Sequence, residues 1–211
     1  MTYLFCGYRD WAKRIYETLQ QKHVLEFCDS PSTLNVLSPL NYQGVFFVGW
    51  SDIVDSLWID NTECICLHPS MLPKYRGGSP IQNQIISGEK WSGVTLFKMN
   101  DGLDSGDIIK QISFSLHGSL NDIIGRIETL GVSMIDEVLT CENISYTPQD
   151  NSKATYCKRR SPSMSEIKLT DFENFTATEL QNKIRCLQDP YPMSYIVCKN
   201  ETKLFIKESE I

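Results

Sequence analysis

At 211 residues, with 41% hydrophobic and 22% charged residues, the chain has the composition of a globular protein with one sizeable core. Its formal net charge of −6 argues against broad affinity for nucleic acid, which needs a basic face to neutralise phosphates, and the one basic run, Lys158-Arg159-Arg160, reads as solvated surface or a site for a single diphosphate. Neither a secretory nor a membrane-spanning segment is expected, because the N-terminal apolar run is short and meets charge at Arg9 and Asp10, and eight cysteines scattered without paired spacing suit the cytoplasm.

In chain order, Tyr3 to Tyr8 reads as a first strand ending at Gly7. Asp10 to Gln21 follows as a helix, with Trp11, Ile15 and Leu19 at helical spacing, and Val24 to Phe27 as the next strand. This opening suggests a doubly wound α/β domain, although Gly7 has no dinucleotide fingerprint around it. Ser30 to Gln43 reads as an irregular connection or a short helix. A buried strand at Val45 to Val48 ends at Gly49-Trp50-Ser51, and another, Cys64 to Leu67, ends at His68, where proline, glycine and serine forbid continuation.

A helix is expected from Pro80 to Gly88, then strands over Ser92 to Met99 and Asp107 to Ser115. The clearest helix is Leu120 to Leu139, where Leu120, Ile123, Ile124, Ile127, Leu130, Met134, Ile135 and Val138 make one apolar stripe. Pro148 to Lys153 reads as a loop. A capping box, Thr176 with Glu179, opens a helix carrying Leu180, Ile184 and Leu187 that Asp189-Pro190 ends, and Tyr195 to Val197 with Lys203 to Lys207 reads as a terminal hairpin. The expected fold is α/β, a doubly wound, Rossmann-like, mostly parallel sheet over residues 1–150, with a small helix-plus-hairpin extension over 151–211.

Two stretches carry chemistry. His68 sits at the end of a strand, and an imidazole with an ordinary pKa of about 6.5 gives or takes a proton near neutrality. Asn100 to Asp107 is a tight loop with two glycines and three aspartates, and a carboxylate beside a histidine can fix its tautomer or take a second proton. Singly, His68 also reads as structural and Asp104 as a turn former. Cys64 and Cys66 alternate onto one strand face, and His68 is the only further local ligand, so no metal site is expected.

Together the two stretches resemble the formyltetrahydrofolate-dependent formyltransferase family. It pairs a His-x-Ser-x-Leu-Pro-x-x-Arg-Gly loop, here His68 to Gly77, with a Gly-Leu-Asp-x-Gly-Asp loop, here Gly102 to Asp107. The run Arg76 to Gln82 is similar to the branch that holds methionyl-tRNA and amino-sugar formyltransferases rather than the purine-biosynthetic branch, and Ala154 to Arg160 and Asp189 to Pro192 resemble its members acting on nucleotide-linked amino sugars. The resemblance implies that His68 and Asp104 are catalytic. It also implies that N10-formyltetrahydrofolate is the formyl donor, held by Ser70, Met71, Leu72, Pro73 and Asp104 with Gly49 and Trp50 nearby.

A nucleotide-linked amino sugar is implied as acceptor, a dTDP-linked dideoxy sugar first, used in surface polysaccharide synthesis. Arg76, Gly77, Gly78 and Ser79 are expected near its amine, and Tyr156, Lys158 and Arg159 near its base and diphosphate. One position departs from the pattern. The family carries an asparagine two residues before the histidine, as an oxyanion donor, where this chain has Cys66. A thiol donates weakly, so Cys66 reads as a small apolar strand residue or as a nucleophile, with His68, water or a backbone N–H supplying the missing bond.

Methionyl-tRNA members carry a further C-terminal barrel, whereas this chain stops at Ile211, so no nucleic-acid partner is expected. Formylation of another amine, methionyl-tRNA or a small metabolite, stays open, as does a non-catalytic folate- or nucleotide-binding relative. The exposed terminal strands suggest a homodimer.

Overall fold

The computed structural model describes residues 2–188 and 191–211. Elements follow in the order β1 (Thr2–Cys6), α1 (Asp10–Leu19), β2 (Leu25–Cys28), α2 (Pro31–Leu34), β3 (Tyr42–Val48), α3 (Ser56–Asn61), β4 (Glu63–His68), β5 (Arg76–Gly77) and α4 (Pro80–Ile86). The second half holds β6 (Trp91–Lys98), β7 (Ile108–Ser115), α5 (Leu120–Thr140), β8 (Tyr156–Cys157), α6 (Asp171–Asn174), α7 (Ala177–Arg185), β9 (Ser194–Val197) and β10 (Lys203–Ile206). The main sheet has the order β2-β1-β3-β4-β6-β7, with β1 to β4 parallel and β6 and β7 antiparallel.

Alternation along the strands builds two cores. Phe5, Phe46, Val48, Ile65 and Leu67 face α1 and α5, while Leu4, Cys6, Val45, Phe47 and Cys64 face Leu34 and Trp58 on the other side. The α5 stripe is the largest contribution of any one element to the first core, and fully burying each such Leu or Ile stabilises by about 1.5–3 kcal/mol. Ser119 and Asp122 close a reciprocal capping box at its start, and Thr176 and Glu179 do the same for α7.

Of four differences in detail, one is a shifted bound, one settles an open reading and two are elements not expected. Val24 is exposed and β2 begins at Leu25. The Ser30 to Gln43 connection contains α2 and a 3₁₀ turn at Pro39–Asn41. The helix α3, capped by Asp55 Oδ1 accepting from the Leu57 N–H at 2.7 Å, shows no periodicity in sequence because six residues bury only Trp58. The fourth is the parallel pair β5 and β8, which joins Arg76 to Tyr156 and Gly77 to Cys157. Asp189 and Pro190, expected to end α7, lie outside the described residues.

The order of the parallel strands reverses between β1 and β3. Both are followed by glycine, Gly7 and Gly49, and ligands bind such sheets at the carboxyl ends of the strands flanking a reversal. His68 ends the adjoining β4. Among the described residues no helix is long and apolar enough to cross a membrane.

Candidate active site

β4 delivers His68 to a buried position beside Thr95 of β6, its register partner. The loop that follows is held by Thr95, whose Oγ1 donates to the Ser70 carbonyl at 2.6 Å and accepts from the Leu72 N–H at 3.3 Å. Gln111 Nε2 donates to Thr95 Oγ1 and to the Leu72 carbonyl, both at 2.8 Å. Gln84 donates to the Pro69 carbonyl at 3.0 Å and accepts from Ser92 Oγ at 2.7 Å. A cis bond joins Leu72 to Pro73. Strand and helix side chains, together with the loop's own bonds, thus fix the segment after His68.

The imidazole is oriented at both nitrogens. Its Nε2 lies 2.9 Å from the Tyr75 carbonyl, an acceptor, so Nε2 carries the hydrogen and donates. Nδ1 then faces Asp104 Oδ2 at 3.6 Å, and Oδ2 also accepts from the Gly77 N–H at 2.7 Å. In a neutral ring Nδ1 bears a lone pair. Two acceptors would then face each other across a gap too long for a hydrogen bond. Such a pair either shares a proton already on Nδ1 or accepts one from an N–H entering between them. That is what an attacking amine must give up.

Gly77 is the only residue type that fits its place: its φ is 100°, and a Cβ there would lie 2.5 Å from the Cys157 carbonyl oxygen. The β8 segment therefore passes tightly over the Asp104-binding amide. Asp104 itself has φ 47°, a left-handed conformation for a non-glycine residue.

Not all expected ligand contacts point outward. The Arg76 side chain, expected near an acceptor amine, is 1% exposed, and its guanidinium donates to Gln149 Oε1, Asn151 Oδ1 and the Tyr156 hydroxyl at 2.7–3.1 Å. Arg76 is a buried tie between loops, which corrects that expectation. A fork of five donors can bridge two neighbouring segments in one plane, and here four of them are taken up internally. Around it, Gly78 packs against the Arg159 backbone, and Ser79 Oγ accepts from the Arg160 N–H at 3.1 Å.

In the expected folate loop, Ser70 is buried, with Oγ donating to the Lys74 carbonyl at 2.7 Å, and Leu72 is buried too. Met71 alone of the pair's neighbours is exposed, with its sulfur lying over Gly93. Trp50, just past the end of β3, packs on Tyr8 and Phe47, and its Nε1 is enclosed with no hydrogen-bond partner among the described residues. Tyr156, Lys158 and Arg159 are exposed, with Arg159 Nη2 donating to the Ser51 carbonyl at 2.6 Å.

Cys66 lies on the same face of β4 as Cys64 and His68, against the second core. Burial pushes its thiol well above the ordinary range, with the charges of Asp104 and Cys64 adding to the effect. A raised thiol pKa disfavours the thiolate and so weighs against the nucleophile reading.

Gln149, Tyr75 and Thr95 were not singled out from sequence. Gln149 stood in a polar run read as a loop, yet it is nearly buried. Its Nε2 donates to the carbonyls of Asp104 at 2.9 Å and Gly106 at 2.7 Å.

The fold and site can be set beside known proteins. A family profile described as formyl transferase matches residues 31–139. The methionyl-tRNA formyltransferase of Fervidobacterium nodosum is 36% identical over 148 residues, 69% of this chain and 46% of that protein. The chain thus spans about half the length of such relatives. The structure of a methionyl-tRNA formyltransferase from Clostridium thermocellum matches 98% of this chain and 97% of its own, with a TM-score of 0.83 at 26% identity. A sugar N-formyltransferase from a Shewanella species shares the fold, with a TM-score of 0.78 at 17% identity, covering 100% of this chain and 98% of its own. The family profile spans more than half of the chain and includes both His68 and Asp104; the protein belongs to the formyl transferase family.

Proposed function

We propose that the protein transfers a formyl group from N10-formyltetrahydrofolate to the primary amine of a nucleotide-linked amino sugar, a dTDP-linked dideoxy sugar first, for surface polysaccharide synthesis in the cytoplasm. The observation that carries the transfer chemistry is the His68 and Asp104 pair: a ring whose Nε2 is committed to the Tyr75 carbonyl, facing a carboxylate fixed by the Gly77 N–H. The pair accepts the proton that the amine loses as it bonds to the formyl carbon. When His68 is protonated, Nδ1–H is also the nearest strong donor for negative charge developing on the formyl oxygen.

The donor supplies an activated one-carbon unit. Trp50, just past the end of β3, has a buried Nε1 that finds no hydrogen-bond partner among the described residues, and its indole together with the neighbouring glycine suits a pterin ring at this strand end. Gly49 and the Ser70 to Pro73 loop, with Met71 its exposed side chain, complete that assignment.

For the acceptor, Tyr156 is 63% exposed and pairs with Arg76 in β5, so an aromatic face and the Lys158 and Arg159 cations stand one strand from the Asp104-binding amide. A ring face stacks on a base and cations pair with a diphosphate. Gly77, Gly78 and Ser79 line the approach as backbone. Residues 151–211 form the extension that carries these contacts, and its terminal hairpin pairs two copies of the chain.

A second reading, methionyl-tRNA as acceptor, is favoured by the 36% identical relatives and opposed by the net charge of −6. The deciding experiment is a mass-spectrometric assay with N10-formyltetrahydrofolate and dTDP-, UDP- and GDP-linked amino sugars, with methionyl-tRNA alongside. Gain of one formyl group by a sugar nucleotide supports the proposal, and transfer to methionyl-tRNA alone replaces the acceptor. His68→Ala and Asp104→Ala should lose transfer with unchanged melting; a wild-type rate in either overturns the pair's role.

A further inference from the structure

We propose that Gln149 is a positioning residue for this reaction: its buried amide, joined to Arg76, locks the Asp104 loop onto the His68 loop and so aims the Asp104 carboxylate. The inference rests on the reading of His68 and Asp104 as the proton-handling pair.

The geometry assigns every group of the amide. Nε2 has two hydrogens and gives one to the Asp104 carbonyl at 2.9 Å and one to the Gly106 carbonyl at 2.7 Å. Oε1 accepts from Arg76 Nε at 3.1 Å and Nη2 at 2.7 Å. Both partners are close to fully buried, Arg76 at 1% exposure and Gln149 at 9%, so none of these bonds has water as a ready substitute. Arg76 is covalently next to Gly77, whose N–H holds the Asp104 carboxylate at 2.7 Å. A closed circuit results: Asp104 main chain, Gln149, Arg76, Gly77, Asp104 side chain.

The circuit matters because Asp104 is held in a left-handed conformation that persists only where the surroundings over-determine it. The loop's other internal bonds, Ser105 Oγ and the Gly102 N–H to Asn100 Oδ1, lie on its exposed side and do not touch the Asp104 backbone. Gln149 binds the carbonyl of Asp104 itself and the one two residues on. Among the described residues Arg76 in turn has only neutral acceptors, Gln149, Asn151 and Tyr156, which polarises the Gln149 amide and strengthens its donation. Glutamate at 149 would keep the acceptor for Arg76 and lose both donors. Gln149 therefore acts on the chemistry through Asp104, without touching a reacting atom.

The test uses Gln149→Glu, with a dTDP-linked dideoxy amino sugar as acceptor. We expect a folded protein whose kcat falls on the order of 10²-fold while KM for donor and acceptor stays within about twofold. Gln149→Glu combined with Asp104→Asn should be no slower than Asp104→Asn alone, as expected for residues in one circuit. In nitrogen–proton spectra of the free protein, the Gly77 amide resonance should move toward its position in Asp104→Asn. Gln149→Asn, a shortened amide, carries the same test should Gln149→Glu not fold.

A folded variant with wild-type kcat and an unmoved Gly77 resonance overturns the proposal, as do losses that multiply in the double variant. If the wild type transfers no formyl group, the transfer reading fails. The Gly77 resonance still decides whether Gln149 aims the carboxylate.

Discussion

Cys66 stands where an amide donor is expected, and burial pushes its thiol up, so it contributes a weak S–H donor and no thiolate. Two outcomes follow at this residue. In mildly alkaline iodoacetamide, the exposed Cys141 and Cys198 should be alkylated before Cys66, as read by peptide mass spectrometry; early labelling of Cys66 would contradict its enclosure. Cys66→Asn should raise kcat about tenfold, less than the 10²–10³ lost when an oxyanion donor is removed elsewhere, because other donors at the site supply part of that stabilisation. An unchanged or lower rate would mean that no donor is missing. His68 and Asp104 were legible in sequence because each sits in a motif of fixed spacing. Gln149 was not, since a glutamine in a polar run has no period and no neighbour that announces burial, and Arg76 was misread as facing ligand because an arginine's acceptors lie far away along the chain.

At the level of single elements, two substitutions separate stability from site geometry. Ser119 Oγ accepts from the Asp122 N–H, and Asp122 Oδ2 accepts from Ser119 in return, closing the start of α5. Ser119→Ala should lower Tm by about 2–4 °C, the usual effect of losing one cap in a chain of this size, and leave kcat unchanged. The Ser119 bonds hold the Asp122 carboxyl below its ordinary range. A depressed carboxylate contributes stability above its unfolded pKa and loses it as pH falls through the folded value, so the Tm gap between wild type and Ser119→Ala should narrow in acid. A constant gap would assign the effect to helix propensity alone.

Gly106→Ala should behave in the opposite way. A Cβ at Gly106 would sit 1.7 Å from the Lys98 carbonyl oxygen, so the loop that carries Asp104 must move and transfer should be lost; a wild-type rate would show that the loop's backbone path does not aim Asp104. The α5 stripe was plain in sequence because eight apolar residues repeat on one face. The β5 and β8 pairing was not, since two-residue strands eighty residues apart have no local pattern.

For the molecule as a whole, the α/β class was legible because strand and helix periods alternate, but the antiparallel join of β6 to β4 depends on pairing that no single segment encodes. The extension poses the remaining question of assembly. On the β9–β10 hairpin, Tyr195 is buried and packs edge-on against Phe205, while Val197, Leu204 and Phe205 stay exposed, and Leu169, Phe172 and Phe175 around α6 are exposed too. One edge of β9 is covered by the Glu166 bridge to Tyr195, whereas β10 is paired, among the described residues, only to β9.

An open strand edge beside apolar side chains is the arrangement through which two copies of a chain pair about a two-fold axis, because each copy then presents the same edge and the same apolar patch to the other. Sedimentation velocity of the wild-type protein should therefore give a dimer. Leu204→Glu with Phe205→Glu, one charge on each face of the open β10 edge, should give a monomer whose circular dichroism is unchanged. A monomeric wild type, or a dimer that survives both charges, would place any assembly surface away from the hairpin.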